Sequence, residues 1–289
     1  MALIIGLLRR LSPHLAMVVA GYVFAAVGVH TRWAKKVRAN LAVAFADRSA
    51  MELNALLKSS FHNLGVALVE LIHMPSIRRA PDRRIEFVLA AGANAPVAGK
   101  PTVFVTAHVG AWHMTPLIGP RYGVTLPIIQ ASEKNPHIGR QLARLRGAFG
   151  CPLVASKGGV RTLVQALNQG QCIGVTLDTR LDSGEPLPFF GESAWTNTIA
   201  ARLALRYACD LVPVLAERLP GARYRVNVLP PIKPRDAKAN AAAKARDMTI
   251  QVNHLFEGWI AARPGQWLCM KRRWPEATAA RYLKRINAA

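Results

Sequence analysis

The stretch that decides the fold reads Pro101-Thr-Val-Phe-Val-Thr-Ala107, and it runs directly into His108-Val-Gly110-Ala-Trp112-His113. Its first part is rich in β-branched side chains, which predicts a buried strand. The histidine that follows stands at the end of this strand, and an imidazole facing a cleft there is well suited to take up a proton at neutral pH. The stretch therefore predicts both a core strand and a candidate site.

Outward from this stretch, strand patterns alternate with helical patterns. Towards the N-terminus, 31–74 has the apolar spacing of helices, with a capping box at Ser49–Glu52 and an end expected at Pro75. Towards the C-terminus, a loop is expected after Leu177 as far as Gly191. The predicted strands are 85–89, 126–130, 153–155, 172–177, 211–216 and 224–229, and the predicted helices are 138–149, 158–168, 198–208 and 236–263.

This alternation favours the α/β class, with a mixed, mostly parallel sheet flanked by helices. The chain has neither an internal repeat nor a linker rich in Gly or Ser, so we predict a single α/β domain over 31–289. The 289 residues are enough to bury a sizeable core.

The charge of the chain is strongly unbalanced, with 38 Lys and Arg against 16 Asp and Glu, a net charge of +22. Such a field attracts polyanions. The sequence has no zinc finger, no aromatic ribonucleoprotein motif and no basic helix with heptads, so an anionic membrane is favoured over nucleic acid as the partner. The four cysteines are scattered, which favours reduced thiols and the cytoplasmic side.

The N-terminus contains an uncharged run of fifteen residues, Leu15 to Val29, between Arg9-Arg10 and a second basic group that begins at Arg32. Fifteen residues fall short of the roughly 20 that cross a bilayer upright. We interpret 1–30 as a membrane anchor, an apolar helix that lies tilted or shallow in the bilayer. A core helix of the soluble domain and a cleaved signal peptide are the alternatives.

Three blocks, in order, carry a resemblance. The first is Thr106-Ala-His108-Val-Gly110-Ala-Trp112-His113. The second is Gly174-Val-Thr-Leu-Asp178-Thr-Arg180, followed by Pro188-Phe-Phe-Gly191 and Thr196-Asn-Thr198. The third is Arg263-Pro-Gly-Gln266-Trp267, followed by Lys271-Arg-Arg273-Trp274. Together they resemble the lipid A late acyltransferases (the lauroyl and myristoyl transferases), within the lysophospholipid acyltransferase superfamily.

The resemblance implies transfer of a fatty acyl chain from acyl carrier protein or coenzyme A to a hydroxyl of a membrane glycolipid. It places the protein at the cytoplasmic face of a bacterial inner membrane, and it implies no metal or other cofactor. It makes His108 the general base and Asp178 a member of the site. Acyl carrier protein is strongly acidic, so the positive charge suits both the donor and the anionic lipid.

The chain departs from the family at one position. The family's block is His, four residues, then Asp or Glu, whereas this chain has His113 there. An imidazole brings no negative charge to support a protonated His108. We treat His113 as a candidate catalytic residue, and a helix-surface or supporting role is the alternative. Glu133 and Asp178 are candidates to replace the carboxylate that the family has at position 113. A catalytically degenerate member that binds lipid or acyl carrier protein is the alternative function.

Further site residues are predicted around this pair. Gly110 permits close approach of the backbone, and its amide is a candidate donor to the oxyanion. Trp112 is a candidate substrate contact within the same block. Basic side chains are candidates for binding headgroups or phosphopantetheine, with a solvated basic face as the alternative; they are Lys134, Arg144, Arg146, Lys157 and Arg161. Arg272 and Arg273 beside Trp267 and Trp274 form either a membrane-facing edge or packing of the C-terminus.

Overall fold

The computed structural model describes residues 2–79, 81–130, 135–156 and 158–288. The α-helices are α1 (Ala2–Arg10), α2 (Pro13–Gly28), α3 (Arg32–Ala44), α4 (Ala50–Arg79), α5 (Pro81–Arg84), α6 (Ile118–Tyr122), α7 (Pro136–Arg146), α8 (Gly159–Asn168), α9 (Ile199–Arg206), α10 (Ala241–Ala262) and α11 (Glu276–Ala288). The strands are β1 (Ile85–Leu89), β2 (Thr102–Thr106), β3 (Ile128–Gln130), β4 (Leu153–Ala155), β5 (Ile173–Thr176), β6 (Glu185–Phe189), β7 (Glu192–Thr196), β8 (Asp210–Leu219) and β9 (Arg223–Val228).

A seven-stranded sheet in the order β1-β9-β8-β2-β5-β3-β4 forms the centre of the fold. All neighbours in it are parallel except β8 and β9, which pair as an antiparallel hairpin. The predicted α/β class with a mostly parallel sheet is therefore confirmed. Strand β2 lies inside the sheet between β8 and β5, and its residues Val103 and Val105 are almost fully buried.

Helix α4 begins at the predicted capping box. The Ser49 backbone N–H donates to Glu52 Oε2 at 2.8 Å, and the Glu52 N–H donates to Ser49 Oγ at 3.3 Å. The end expected at Pro75 is wrong, because the helix continues to Arg79. A proline lacks one helical N–H donor, and burial of Met74 and Ile77 on either side of it outweighs that loss.

Two elements in the C-terminal part of the chain differ from the sequence prediction. The loop expected as far as Gly191 contains β6, which forms an antiparallel hairpin with β7 through a turn at Phe190 and Gly191, both with positive φ. The prolines of β6 are tolerated because a two-stranded hairpin leaves one edge of each strand unpaired. The helix expected from 236 begins at Ala241, where the Asn240 side chain accepts a hydrogen bond from the Ala243 N–H at 2.9 Å.

Helix α2 packs on α4 through small residues. A Cβ built on Gly65 of α4 would lie 2.4 Å from the Ala20 carbonyl oxygen, so only glycine allows this approach of the two helices. Ala16, Met17 and Ala20 are buried in the contact, whereas most of the larger apolar residues of α2 face outward. The N-terminal apolar helix is therefore present, and its division from the rest as a separate anchor stays a prediction.

By length and composition, α4 is apolar enough to cross a membrane, as is the pair of α2 and α3 taken together. More than half of the apolar part of α4 is buried inside the protein, which is typical of a core helix. Helices α2 and α3 meet at an angle of 92°, so they do not form one straight span.

Candidate active site

His108 and Asp178 meet because of the register of two neighbouring strands. Strands β2 and β5 are parallel, with Thr106 opposite Thr176 at their carboxyl ends. His108 and Asp178 each follow two residues later, so they come to the same edge of the sheet. Their side chains join at 2.7 Å between His108 Nδ1 and Asp178 Oδ1. Sites in α/β proteins form at this edge.

Asp178 is completely buried, and both of its oxygens are bonded. Oδ2 accepts a hydrogen bond of 3.0 Å from Trp267 Nε1, while Oδ1 accepts one from His108. Burial by itself raises the pKa of Asp178, but the charge of a protonated His108 and the bonds from His108 and Trp267 outweigh it, so the pKa lies below its usual value. Asp178 is therefore held as a carboxylate beside His108.

Trp267 is fixed by the C-terminal segment. Its backbone pairs with Val109 in an antiparallel bridge, and the next residue, Leu268, donates its N–H to the His108 carbonyl at 2.8 Å. The Arg273 guanidinium packs over the Phe189 ring at 4.6 Å and bonds to the β7 strand. Trp267, Arg273 and Trp274 are fully buried, so this segment packs the core, and the membrane-facing edge considered for it is wrong.

An apolar cleft of about 190 Å³ opens beside His108. His108 is partly accessible, with 28% of its side chain exposed, and Trp112 lies edge-on to it at 5.5 Å between ring centroids. The wall is mainly hydrocarbon, and its principal members are Phe104, Leu126, Ile128, Phe149 and Val214. His108 is therefore accessible from a mainly apolar cleft.

His113 also lines the cleft, but its polar contact is not with His108. His113 Nε2 lies 3.0 Å from Glu70 Oε2, and Glu70 is bound at both oxygens by Arg218, at 2.7 and 2.8 Å. The orienting bond to His108 comes from Asp178 instead. A role for His113 in the reaction stays a prediction.

Gly110 has a φ of +61°, and a Cβ there would lie 2.5 Å from the Ala216 carbonyl oxygen. This position requires glycine for both reasons. The neighbouring Ala111 N–H bonds to the same carbonyl oxygen at 2.9 Å. The assignment of the Gly110 amide as an oxyanion donor stays a prediction.

The predicted basic residues are dispersed. Arg146 lines the cleft and donates to Gln130 Oε1 at 3.3 Å. Arg144 and Arg161 are exposed on α7 and α8 and do not line the cleft. Lys134, Lys157 and the alternative carboxylate Glu133 lie outside the described residues. The structure thus brings His108, Trp112, His113, Arg146 and Asp178 to one region.

Glu70 and Arg218 were missed as site residues by the sequence prediction. The one local signal is a carboxylate inside the apolar run Val66-Ala-Leu-Val-Glu70-Leu-Ile72, since an unpaired charge is expensive to bury. Its partner is 148 residues away, and no local pattern connects the two positions. Trp267 belongs to a quoted block, but its bond to Asp178 depends on tertiary structure.

Glu70 makes the stability of the protein depend on pH. Burial raises the pKa of Glu70, but Arg218 and His113 outweigh it and lower the pKa from 4.5 to about 2. Since the folded-state pKa is depressed, the stabilisation is full above pH 4.5 and is lost as the pH falls towards 2. We expect Glu70→Gln to have a lower free energy of unfolding than wild type at pH 7, and the difference to shrink below pH 4.5. Urea unfolding at several pH values measures this. A pH-independent difference contradicts this, and Glu86→Gln, at an exposed ion pair with Arg225, is the control.

The mostly parallel sheet, the histidine with its buried carboxylate and the adjoining apolar cleft define an α/β protein with a candidate active site at the carboxyl edge of its sheet. A family model described as bacterial lipid A biosynthesis acyltransferase matches residues 2–276. This covers nearly the whole chain, so the chain belongs to the lipid A biosynthesis acyltransferase family. No match was found among curated proteins.

Proposed function

We propose that the protein transfers a fatty acyl chain from a thioester, on acyl carrier protein or coenzyme A, to a hydroxyl of a lipid A precursor or a similar glycolipid. The single observation that carries this proposal is the His108–Asp178 contact of 2.7 Å beside an apolar cleft. It also favours an active enzyme over a degenerate lipid-binding member, because a buried carboxylate supports His108 although position 113 lacks one.

The chemistry follows from the pair. With Nδ1–H bonded to Asp178, His108 presents the lone pair of Nε2, which takes the proton of the acceptor hydroxyl as the oxygen attacks the thioester carbon. The C–O bond forms, and the carbonyl electron pair moves to oxygen. The oxyanion then re-forms the C=O bond as the C–S bond breaks, and the leaving thiolate receives the proton from His108. The ionised Asp178 stabilises the imidazolium between these two steps.

The cleft suits the acyl chain. Phe104, Ile128 and Val214 rise from the sheet, and Leu126 and Phe149 close the wall. Burying each methylene of a chain in such surroundings contributes about 0.8 kcal/mol. Apolar burial therefore holds the acyl chain in the cleft, and the thioester is placed next to His108.

The exposed surface of helix α2 supports our proposal that the protein binds a bacterial inner membrane, at its cytoplasmic face. Its outward stripe recurs at helical spacing and consists of Leu15, Val18, Val19, Tyr22, Val23 and Val27. Exposed Arg9, Arg10, Arg32, Lys35 and Lys36 flank it, with Trp33 half exposed beside them. An apolar stripe with a basic and aromatic border fits a helix that lies in the interface with anionic headgroups. At sixteen residues α2 is about 24 Å long, shorter than a bilayer core.

Charges on this stripe are expected to release the protein from membranes. The double variant Val19→Asp, Val23→Asp should reduce partitioning into anionic vesicles by roughly 10²-fold, because two apolar side chains no longer enter the bilayer. Co-sedimentation with phosphatidylglycerol vesicles measures this. Val160→Asp, at an exposed valine of α8, is the matched control. If the double variant binds as wild type does, α2 is not the inserting helix.

Acyl transfer is tested with purified protein, a radiolabelled acyl thioester and lipid extracted from bacterial inner membranes. We expect label to appear in a glycolipid, and the labelled species identifies the acceptor. Running the assay with acyl carrier protein and with coenzyme A as carriers identifies the donor. The absence of label from every lipid contradicts the proposed function.

A further inference from the structure

A second histidine in the cleft has a buried carboxylate of its own. His113 is 6% exposed, and its ring is edge-on to Trp112 at 5.1 Å, so Trp112 contacts both histidines. Glu70 at 3.0 Å from Nε2 is completely buried. The cleft is thus bordered by two imidazoles, each beside one carboxylate.

His113 has hydrogen-bonding capacity that the described part of the chain does not use. Neither ring nitrogen has a well-aligned hydrogen bond to another described residue, because the Nε2 contact with Glu70 is close but off the N–H direction. A neutral imidazole with Nε2–H facing a carboxylate has a lone pair on Nδ1. Leaving a buried acceptor of this kind without a hydrogen bond is costly. Because His113 lines the cleft, a ligand bound in the cleft can donate that hydrogen bond.

We propose that His113 is a substrate-binding residue, whose Nδ1 accepts a hydrogen bond from an O–H or N–H group of the substrate inside the mainly apolar cleft. This inference rests on the proposed acyl transfer. Two sources carry such a group: a hydroxyl of the glycolipid acceptor, and an amide N–H of the phosphopantetheine arm of the donor.

Glu70 and Arg218 are positioning residues for this contact. The Glu70 carboxylate lies 3.0 Å from Nε2, so its charge favours the tautomer with the proton on Nε2, and Arg218 binds both Glu70 oxygens. Arg218 also donates to Asn63 Oδ1 on α4, and Asn63 donates to the Gln266 carbonyl at 2.8 Å. The ring of His113 is thus held by α4, by β8 and by the segment that precedes Trp267.

The kinetic test replaces His113 with Phe, which removes the acceptor, and with Gln, which retains one. We expect His113→Phe to raise the KM for one of the two substrates on the order of tenfold, which is the effect of losing one buried hydrogen bond. We expect the KM of His113→Gln to be close to that of wild type. A rise in the KM for the lipid acceptor assigns the hydroxyl, and a rise in the KM for lauroyl-coenzyme A assigns the amide. His254→Phe, at an exposed histidine, is the control.

Unchanged values of both KM in a folded His113→Phe overturn the inference while the proposed function stands. An inactive wild type overturns the proposed function, and the binding contact is then measured directly by calorimetric titration of lauroyl-coenzyme A and of acceptor lipid in detergent. Equal affinities of wild type and His113→Phe for both probes overturn the inference in that case also.

The pairing of His113 with Glu70 has a separate readout in thermal unfolding. His113→Glu restores the carboxylate that the family has at this position, but it places that carboxylate beside Glu70. We expect it to lower Tm by roughly 5 °C through like-charge repulsion in a buried site, and Glu70→Gln in the same chain to recover most of the loss. Additive losses in the double variant overturn the pairing.

Discussion

His108→Ala is expected to lower kcat for acyl transfer by about 10³-fold or more. General base catalysis alone contributes about 10²–10⁴-fold, and the imidazole also returns the proton to the leaving thiolate, so its loss affects both halves of the reaction. KM is expected to change little, since the apolar wall of the cleft remains. The measurement is steady-state transfer of labelled acyl chains at saturating acceptor.

The matched control for this variant is His254→Ala, which removes an exposed histidine of α10 that pairs with Glu257. It should transfer at the wild-type rate. If His108→Ala transfers as well as wild type while remaining folded, His108 is not the base and the proposed mechanism is wrong.

Asp178→Asn is expected to lower kcat by about 10⁴-fold with little change in folding, by analogy with the loss of the aspartate from a catalytic triad. Trp267 Nε1–H requires an acceptor at 3.0 Å, so the carbonyl oxygen of the new amide turns to Trp267. The amide NH₂ then faces His108 Nδ1 and forces the proton of the ring onto Nε2. The nitrogen that faces the substrate no longer accepts a proton.

Asp182→Asn is the control that separates the change in the His108 tautomer from the mere loss of a negative charge. Asp182 is exposed, pairs with Arg180 and lies in the same connection after β5. Its variant should keep wild-type kcat and Tm. An Asp178→Asn enzyme that retains more than about a tenth of wild-type kcat contradicts the role of Asp178 in setting the tautomer of His108.

The sequence by itself determined the fold class and the family. Alternation of apolar strands with amphipathic helices requires a layered α/β arrangement, since each pattern buries one kind of surface. The capping box that begins α4 and the strand that ends before His108 are local features, and both were predicted correctly. The resemblance carried by the three blocks agrees with the family match over residues 2–276.

Only the tertiary structure decided which carboxylate serves which histidine. Asp178 reaches His108 through the register of β2 with β5. Glu70 reaches His113 because the C-terminal part of α4 shares a core cluster with sheet residues and with Met114. These partners are separated by 70 and 43 positions, counted as 178 − 108 and 113 − 70. A local pattern records the surroundings of each residue along the chain, whereas a buried ion pair depends on how distant elements pack. The sequence therefore located both histidines, and the fold assigned each its carboxylate.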